Sequence, residues 1–205
     1  MDIFSGENLI HLVKTVGYLG LFGIIFAESG LLIGFFLPGD SLIFTAGFLA
    51  SQGFLNIYIL VPLLFIAATS GDNVGYAFGH KVGRRIFNKK DSLFFHKKNL
   101  ERAQSFYDKY GPQAIVIARF IPVVRTFAPI VAGVGDMKYR VFMVYNLIGG
   151  FLWTFIMTMC GYILIKFIPD IENHLSLVVI IIIILSILPP IWHIVKEKRA
   201  LVKNR

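Results

Sequence analysis

One cysteine in 205 residues, Cys160 within an apolar run, leaves no disulfide framework to organise this chain. Histidine is sparse too: the five present are scattered, without the spacing of a zinc site. Ser29 lacks a nucleophile elbow, and no Ser/His/Asp arrangement or metal-binding His/Glu spacing is visible. A lipid phosphatase would want a histidine near Arg119 and Arg125 in sequence, and none is there. These absences argue against an enzyme, and no cofactor or metal is implied. The N-terminus has no basic stretch and no clear small-residue cleavage site, so a cleaved signal peptide is not expected. Acidic residues are outnumbered 12 to 20 by Lys and Arg, for a net charge of +8. The distribution of that charge excludes a nucleic-acid partner. Nine basic residues lie between Lys81 and Lys109 and five between Lys196 and Arg205, both clusters abut apolar segments, and no aromatic-basic motif accompanies them. Clusters so placed read as cytoplasmic loops under the positive-inside rule.

What the sequence has in excess is apolar surface. The chain is 56% hydrophobic, with a mean hydropathy of +0.72, more than a soluble domain of this length needs for a core. Leu175 to Ile194 is interrupted only by two serines, a Pro-Pro pair and one histidine, about the 20 residues that cross a bilayer core. Residues 1–14 form a short amphipathic lead-in. Val16 to Leu49 is apolar but contains Glu28, a Gly30/Gly34 pair and Pro38-Gly39-Asp40-Ser41, so it is either two close spans or one broken, re-entrant hairpin. Ile57 to Val82 predicts a helix with Ala67, Gly71, Gly75, Gly79 and Gly83 along one face for close packing, and with Asp72 and Asn73 inside it. Gln113 to Val134 carries Arg119, Pro122, Arg125 and Pro129, which suits a second broken hairpin. Phe142 to Ile165 predicts a further span. With the basic clusters on one side, three crossings and two opposed hairpins satisfy every charge cluster; hairpins that span fully keep the loops on the same sides.

An offset of 91 residues places Gly20 on Gly111, Ala27 on Ala118, Glu28 on Arg119, Phe36 on Phe127 and Pro38 on Pro129. This points to an internal repeat, and opposed hairpins would make it an inverted one. Charges at bilayer depth each cost about 2.5–3.5 kcal/mol on the lenient insertion scale, so Glu28, Asp40, Arg119 and Arg125 must be paired, hydrated or both. A reversal near Gly34 or Pro38-Gly39 would bring the two acids together. A break at Pro122 would let both arginines reach one cavity. Arginine stays charged when partly buried and its planar fork suits phosphate oxygens. Desolvation pushes a carboxylate towards protonation and a nearby arginine pulls it back. Arg119 and Arg125 are therefore candidate phosphate-binding residues, and Glu28 and Asp40 candidate proton-coupling or gating residues. Pro38, Gly39, Asp72, Asn73 and Pro122 are candidate supporting residues. Static interhelical ion pairs are the plainer alternative.

Three segments carry a resemblance: Glu28-Ser29-Gly30 with Phe36-Leu37-Pro38-Gly39-Asp40; Gly71-Asp72-Asn73-Val74-Gly75-Tyr76; and Ala118-Arg119-Phe120-Ile121-Pro122 through Arg125-Thr126 to Ala132-Gly133, with Trp153 and Gly161-Tyr162 downstream. Together they resemble the DedA family, which shares the VTT domain of eukaryotic lipid scramblases. The resemblance covers about residues 15–165. It implies a multi-pass bacterial cytoplasmic-membrane protein with two opposed re-entrant hairpins that transports a lipid carrier. In several members this is the inward recycling of undecaprenyl phosphate, often linked to proton motive force. The family's acidic pair falls on Glu28 and Asp40 and its arginine pair on Arg119 and Arg125. Asp40 stands where many relatives carry Glu after Pro-Gly.

The resulting expectation is an all-α polytopic membrane protein, an inverted repeat with two opposed re-entrant helical hairpins plus about three full transmembrane helices. It is a single membrane-embedded domain over residues 1–205, with a C-terminal transmembrane helix at about 175–195 and a basic cytoplasmic tail at 196–205. The expected function is translocation of a phosphate-headed lipid carrier, undecaprenyl phosphate above others, coupled to protons. The alternatives are a broader phospholipid translocase or scramblase, a proton-coupled antiporter in envelope homeostasis, and a non-transporting structural membrane protein. Membrane lipids and protons are the expected partners, and a homo-oligomer is compatible with the sequence.

Overall fold

The computed structural model of the protein describes residues 6–31, 39–83, 107 and 110–167, and among them every regular element is helical. The expected C-terminal span, the basic tail and most of the loop between Lys81 and Lys109 lie outside the described residues, as do Gly34 and Pro38. The elements are α1 (Gly6–Gly30), α2 (Gly39–Ser51), α3 (Ile57–Phe78) continued by a π turn (Gly79–Gly83), a 3-10 turn (Gly111–Gln113), α4 (Ala114–Ala118), α5 (Pro122–Val134) and α6 (Tyr139–Phe167).

Local chemistry explains where these helices bend and stop. Gly17 takes φ 57°, a left-handed conformation open to glycine, and it divides α1 into a lead-in and a 14-residue limb, Gly17–Gly30. Asn56 caps α3, its side-chain oxygen accepting from the Tyr58 amide at 2.9 Å. Between α4 and α5 the break falls at Ile121, which is extended (φ −116°, ψ 104°). Pro122 disfavours a helical residue before it and itself fits the first helical position, where no amide donor is needed. Thirteen-residue helices such as α2 and α5 are each about 20 Å long, well short of a hydrocarbon core of about 30 Å. Two helices, Ile57–Lys81 and Tyr139–Leu164, are long and apolar enough to cross a membrane, and less than half of each is buried inside the protein. The outward face of α6 shows Val144, Leu147, Ile148, Phe151, Leu152, Phe155 and Ile156, an apolar stripe suited to lipid.

Helix α2 is the innermost element: every residue from Gly39 to Ala50 is buried. Around it pack Leu21 and Ile25 of α1, Leu60 and Leu64 of α3, and Trp153 of α6. The packing has an internal correspondence. Helix α1 packs on α3 and α4 on α6, while α2 packs along α6 and α5 along α3 with its π turn. The points of closest approach correspond as well. Gly47 meets the backbone of Thr158 and Gly161 that of Phe44; Gly133 meets the backbone of Tyr76 and Gly79 that of Ile130. Gly133 and Ile130 lie 86 residues after Gly47 and Phe44, while Tyr76 and Gly79 lie 82 before Thr158 and Gly161. The second contact is thus the first with the two halves exchanged.

The glycine contacts relate the second limbs, α2 and α5, at a spacing of 86 residues rather than 91. The stretches between helices differ in length as well: residues 31–38 separate α1 from α2, and 119–121 separate α4 from α5. Of the aligned residues, Phe36 and Pro38 lie outside the described residues, and Pro129 lies inside α5, past its second turn.

A methyl group at Gly161 would overlap the Phe44 carbonyl, whereas one at Gly23 of α1 would meet nothing. Gly161→Ala should therefore lower stability by about 1–3 kcal/mol through overpacking. Gly23→Ala should raise it by roughly 0.5–1 kcal/mol through backbone entropy. Thermal denaturation of the two purified variants in one detergent checks both signs.

Candidate functional site

The break at Ile121 decides where the two arginines go. On one continuous helix they would stand roughly 240° apart. Here Arg119 ends α4 and Arg125 lies in the first turn of α5. Pro129 inside α5 also has no N–H to return to the Arg125 carbonyl four residues earlier, which loosens the ladder at that turn.

Arg125 is clamped between two carboxylates. Its Nη1 donates to Asp40 Oδ1 at 2.5 Å and its Nη2 donates to Glu28 Oε1. Glu28 comes from the last turn of α1 and Asp40 from the first turn of α2, where a carboxylate also complements the helix dipole. Both acids are buried, Glu28 at 2% exposure and Asp40 at 8%. Gly39 makes the arrangement possible, because the Glu28 carboxylate occupies the place a Cβ at position 39 would take. Trp153 closes the clamp: its Nε1–H donates to Asp40 Oδ1 at 2.9 Å, and its ring centroid lies 4.8 Å from the Arg125 guanidinium carbon.

Arg119 takes different partners. Its Nη2 donates to Asp72 Oδ2 of α3 and, at 2.6 Å, to Asn146 Oδ1 of α6. Asn146 is held in turn, its Nδ2 donating to the Thr69 carbonyl at 3.1 Å. Arg119 and Asp72 are each 4% exposed and Asn146 is fully buried. The guanidinium lies against the bare backbone of Gly149 and Gly150, where side chains would crowd it. Its carbon stands 6.0 Å from the Trp153 ring.

The structure therefore brings Glu28, Asp40, Asp72, Arg119, Arg125 and Gly39 into one polar region inside apolar packing. It pairs Glu28 with Arg125, although the repeat aligns Glu28 with Arg119. The arginines do not share one pair of acids, since each has its own. Asn73 stays beside the cluster: its Nδ2 donates to the Thr69 carbonyl at 2.8 Å, and its Oδ1 accepts from the Tyr139 hydroxyl at 3.2 Å. Pro122 acts by placing the break, and Pro38 lies outside the described residues. Asn146 was not among the expected residues. Its signal is a stripe of small and polar residues along α6, Asn146, Gly150, Thr154 and Thr158 at four-residue spacing, all buried. Among the described residues no group of His, Cys, Asp and Glu could hold a metal ion.

Comparisons with known proteins agree with the resemblance. The VTT domain model matches residues 37–163. The chain is 44% identical over 199 residues to protein DedA of Escherichia coli strain K12, covering 93% of this chain and 90% of the relative. It is 38% identical to an uncharacterized membrane protein of Mycobacterium leprae, over 83% of this chain and 77% of that one. It is 34% identical to inner membrane protein YghB of Escherichia coli strain K12, over 86% of this chain and 80% of that one. No solved structure matches the chain.

Replacing Asn146 by Leu strands a buried Arg119 donor and deprives the Thr69 carbonyl of one partner. Asn146→Leu should cost about 1–3 kcal/mol of stability. Val144→Ala, on the exposed face of the same helix, should stay within about 0.5 kcal/mol. Denaturation midpoints of the purified proteins distinguish the two positions.

Proposed function

Because the chain belongs to the VTT-domain family of DedA-type membrane proteins, we propose that it works in the bacterial cytoplasmic membrane as a transporter of a phosphate-headed lipid carrier, undecaprenyl phosphate above other lipids, coupled to protons. In this reading α1 with α2, and α4 with α5, are re-entrant hairpins entering from opposite faces. Helices α3, α6 and the apolar run at 175–194 cross the membrane, and the basic loop and tail face the cytoplasm.

The observation that carries the reading is the Arg125 clamp. A guanidinium with two forked donors is a phosphate receptor already occupied by two carboxylate mimics of phosphate, one from each limb of a hairpin. A phosphate headgroup that takes their place needs the carboxylates neutralised, since three anions around one cation in a poorly solvated site repel one another. Protons on Glu28 and Asp40 supply that neutralisation. Proton entry then opens the clamp, the headgroup binds Arg125, and departure of the headgroup and release of the protons return the carboxylates to the arginine. Arg125 ties the facing ends of the two limbs, whose apolar residues also pack together, so opening the clamp releases that tie and gives headgroup binding a mechanical consequence.

A second reading also has an observation behind it: each arginine is already paired, as a purely structural lock would require. The Arg119–Asp72 pair separates the readings. Asn146 can offer either an acceptor or a donor to a reversed pair, so Asp72→Arg combined with Arg119→Asp should preserve a lock. A broader phospholipid translocase, scramblase or antiporter would use the same site with less headgroup selectivity, and competition between lipid headgroups tests that.

In proteoliposomes, Arg119→Lys and Arg125→Lys should each insert normally yet lose on the order of a hundredfold or more in undecaprenyl-phosphate translocation, because lysine keeps the charge but not the fork. Unchanged flipping in these variants would remove the phosphate role. The Asp72/Arg119 reversal should fold and fail to transport, and a reversal with full activity would favour the lock.

A further inference from the structure

Resting on the reading of the arginines as phosphate receptors, we infer that the chain has two phosphate-anion sites in series, and that Arg119 with Asp72 and Asn146 forms the second, nearer the basic end of the helices.

The two arginines have separate partners. Each is bound to separate carboxylates on separate elements, Arg125 to Glu28 and Asp40 and Arg119 to Asp72. Trp153 lies against both, and the two distances to its ring leave the guanidinium carbons at most about 11 Å apart. Along α6, Asn146 and Trp153 are seven residues apart, roughly 10 Å of axial rise. The Arg125 site is thus beside the middle of α6, and the Arg119 site is displaced towards the N-terminal end of that helix.

That end is the basic one. Lys138 and Arg140 flank the start of α6, Lys81 ends the apolar stretch of α3, and all three are exposed. From Arg140 to Asn146 is about 9 Å of helix, so the exposed cations, Arg119 and Arg125 follow one another in that order along α6. Tyr139 and Asn73 line the first step, joined at 3.2 Å, and Asn73 and Asn146 share the Thr69 carbonyl as acceptor.

Arg119 also has spare binding capacity. Among the described residues, both of its hydrogen bonds run through Nη2 and its buried Nε–H has no partner. Nε and Nη2 form the side edge of the guanidinium, the edge that grips two oxygens of a phosphate. Asp72 and Asn146 hold one half of that edge and leave the other half unmatched. A single carboxylate competes here, against two at Arg125, so a phosphate needs fewer protons to enter the Arg119 site. The Arg119 site is a staging position on the basic side, and the Arg125 clamp is the proton-gated one.

The test is the binding stoichiometry of a short-chain, water-soluble prenyl monophosphate on the full-length purified protein, measured calorimetrically. Wild type should bind two equivalents, and Arg119→Gln and Arg125→Gln should each retain one. Asp72→Asn removes the competing acid from Arg119, and one of the two equivalents should tighten on the order of tenfold while the other is unchanged. This gain of affinity decides the matter even if an arginine variant does not fold. Inorganic phosphate in place of the prenyl monophosphate, giving the same two equivalents at equal affinity, supports both sites and makes free phosphate their ligand. One equivalent in wild type, lost in either arginine variant, overturns the second site and leaves the transporter reading standing. Two equivalents without translocation in vesicles uphold both sites and remove the transporter reading. No phosphate binding by wild type overturns both.

Discussion

Taking a guanidinium out of water costs several kcal/mol, and the cost is recovered only where charged acceptors satisfy its donors in good geometry. Arg125 meets that condition through Glu28 and Asp40, and the placement of those two acids organises much of the fold around them. They reach one guanidinium because α1 stops at Gly30 and α2 starts at Gly39, and because Gly39 leaves space for the Glu28 carboxylate. Asp40 is shared with the Trp153 indole, which ties the clamp to the middle of α6. A buried ion pair of this kind is weak evidence for stability, since well-packed apolar residues would often serve as well. Its presence in an otherwise apolar interior is better explained by a task that needs charge.

The surrounding helices are close-packed in a way that leaves the clamp as the adjustable element. Glycine contacts bring α2 onto α6 and α5 onto α3 at backbone distance, and the two contacts are the same contact with the halves exchanged. Such interfaces do not deform gradually. The facing ends of α1 and α2, in contrast, are tied through Arg125 by side-chain bonds that depend on protonation. The internal correspondence does not extend to charge: the acids of the Arg125 clamp belong to the first half and the arginines to the second. A nearly two-fold scaffold therefore carries a site with a direction, and the exposed Lys81, Lys138 and Arg140 lie at one end of it.

Much of this was legible in the sequence, and the limits have physical reasons. Helical content, the break at Pro122 and the burial of Glu28, Asp40, Asp72 and Arg119 follow from apolar runs, proline geometry and the cost of burying charge. Pairing did not follow, because it depends on which helix ends meet. Glu28 and Arg119 match in the repeat, yet Arg125 is the residue that reaches Glu28. A fixed offset of 91 does not describe the second limbs, whose glycine contacts correspond at 86, and stretches of unequal length between the helices are what a single offset cannot show. Asn146 was missed because a neutral side chain in an apolar helix carries no charge signal, although its four-residue spacing with Gly150, Thr154 and Thr158 marks the buried face of α6. The π turn at Gly79–Gly83 widens the last turn of the helix expected over 57–82 and has no distinct sequence mark.

In the proposed cycle a phosphate headgroup and protons compete for one set of charges. A headgroup-resolved flipping assay on the wild-type chain, in vesicles with and without an imposed proton gradient, tests it most directly. Competition at the clamp predicts translocation of polyprenyl monophosphate in preference to zwitterionic phospholipids, with a rate that falls when the gradient is collapsed. Equal rates for all headgroups, unaffected by the gradient, would contradict it.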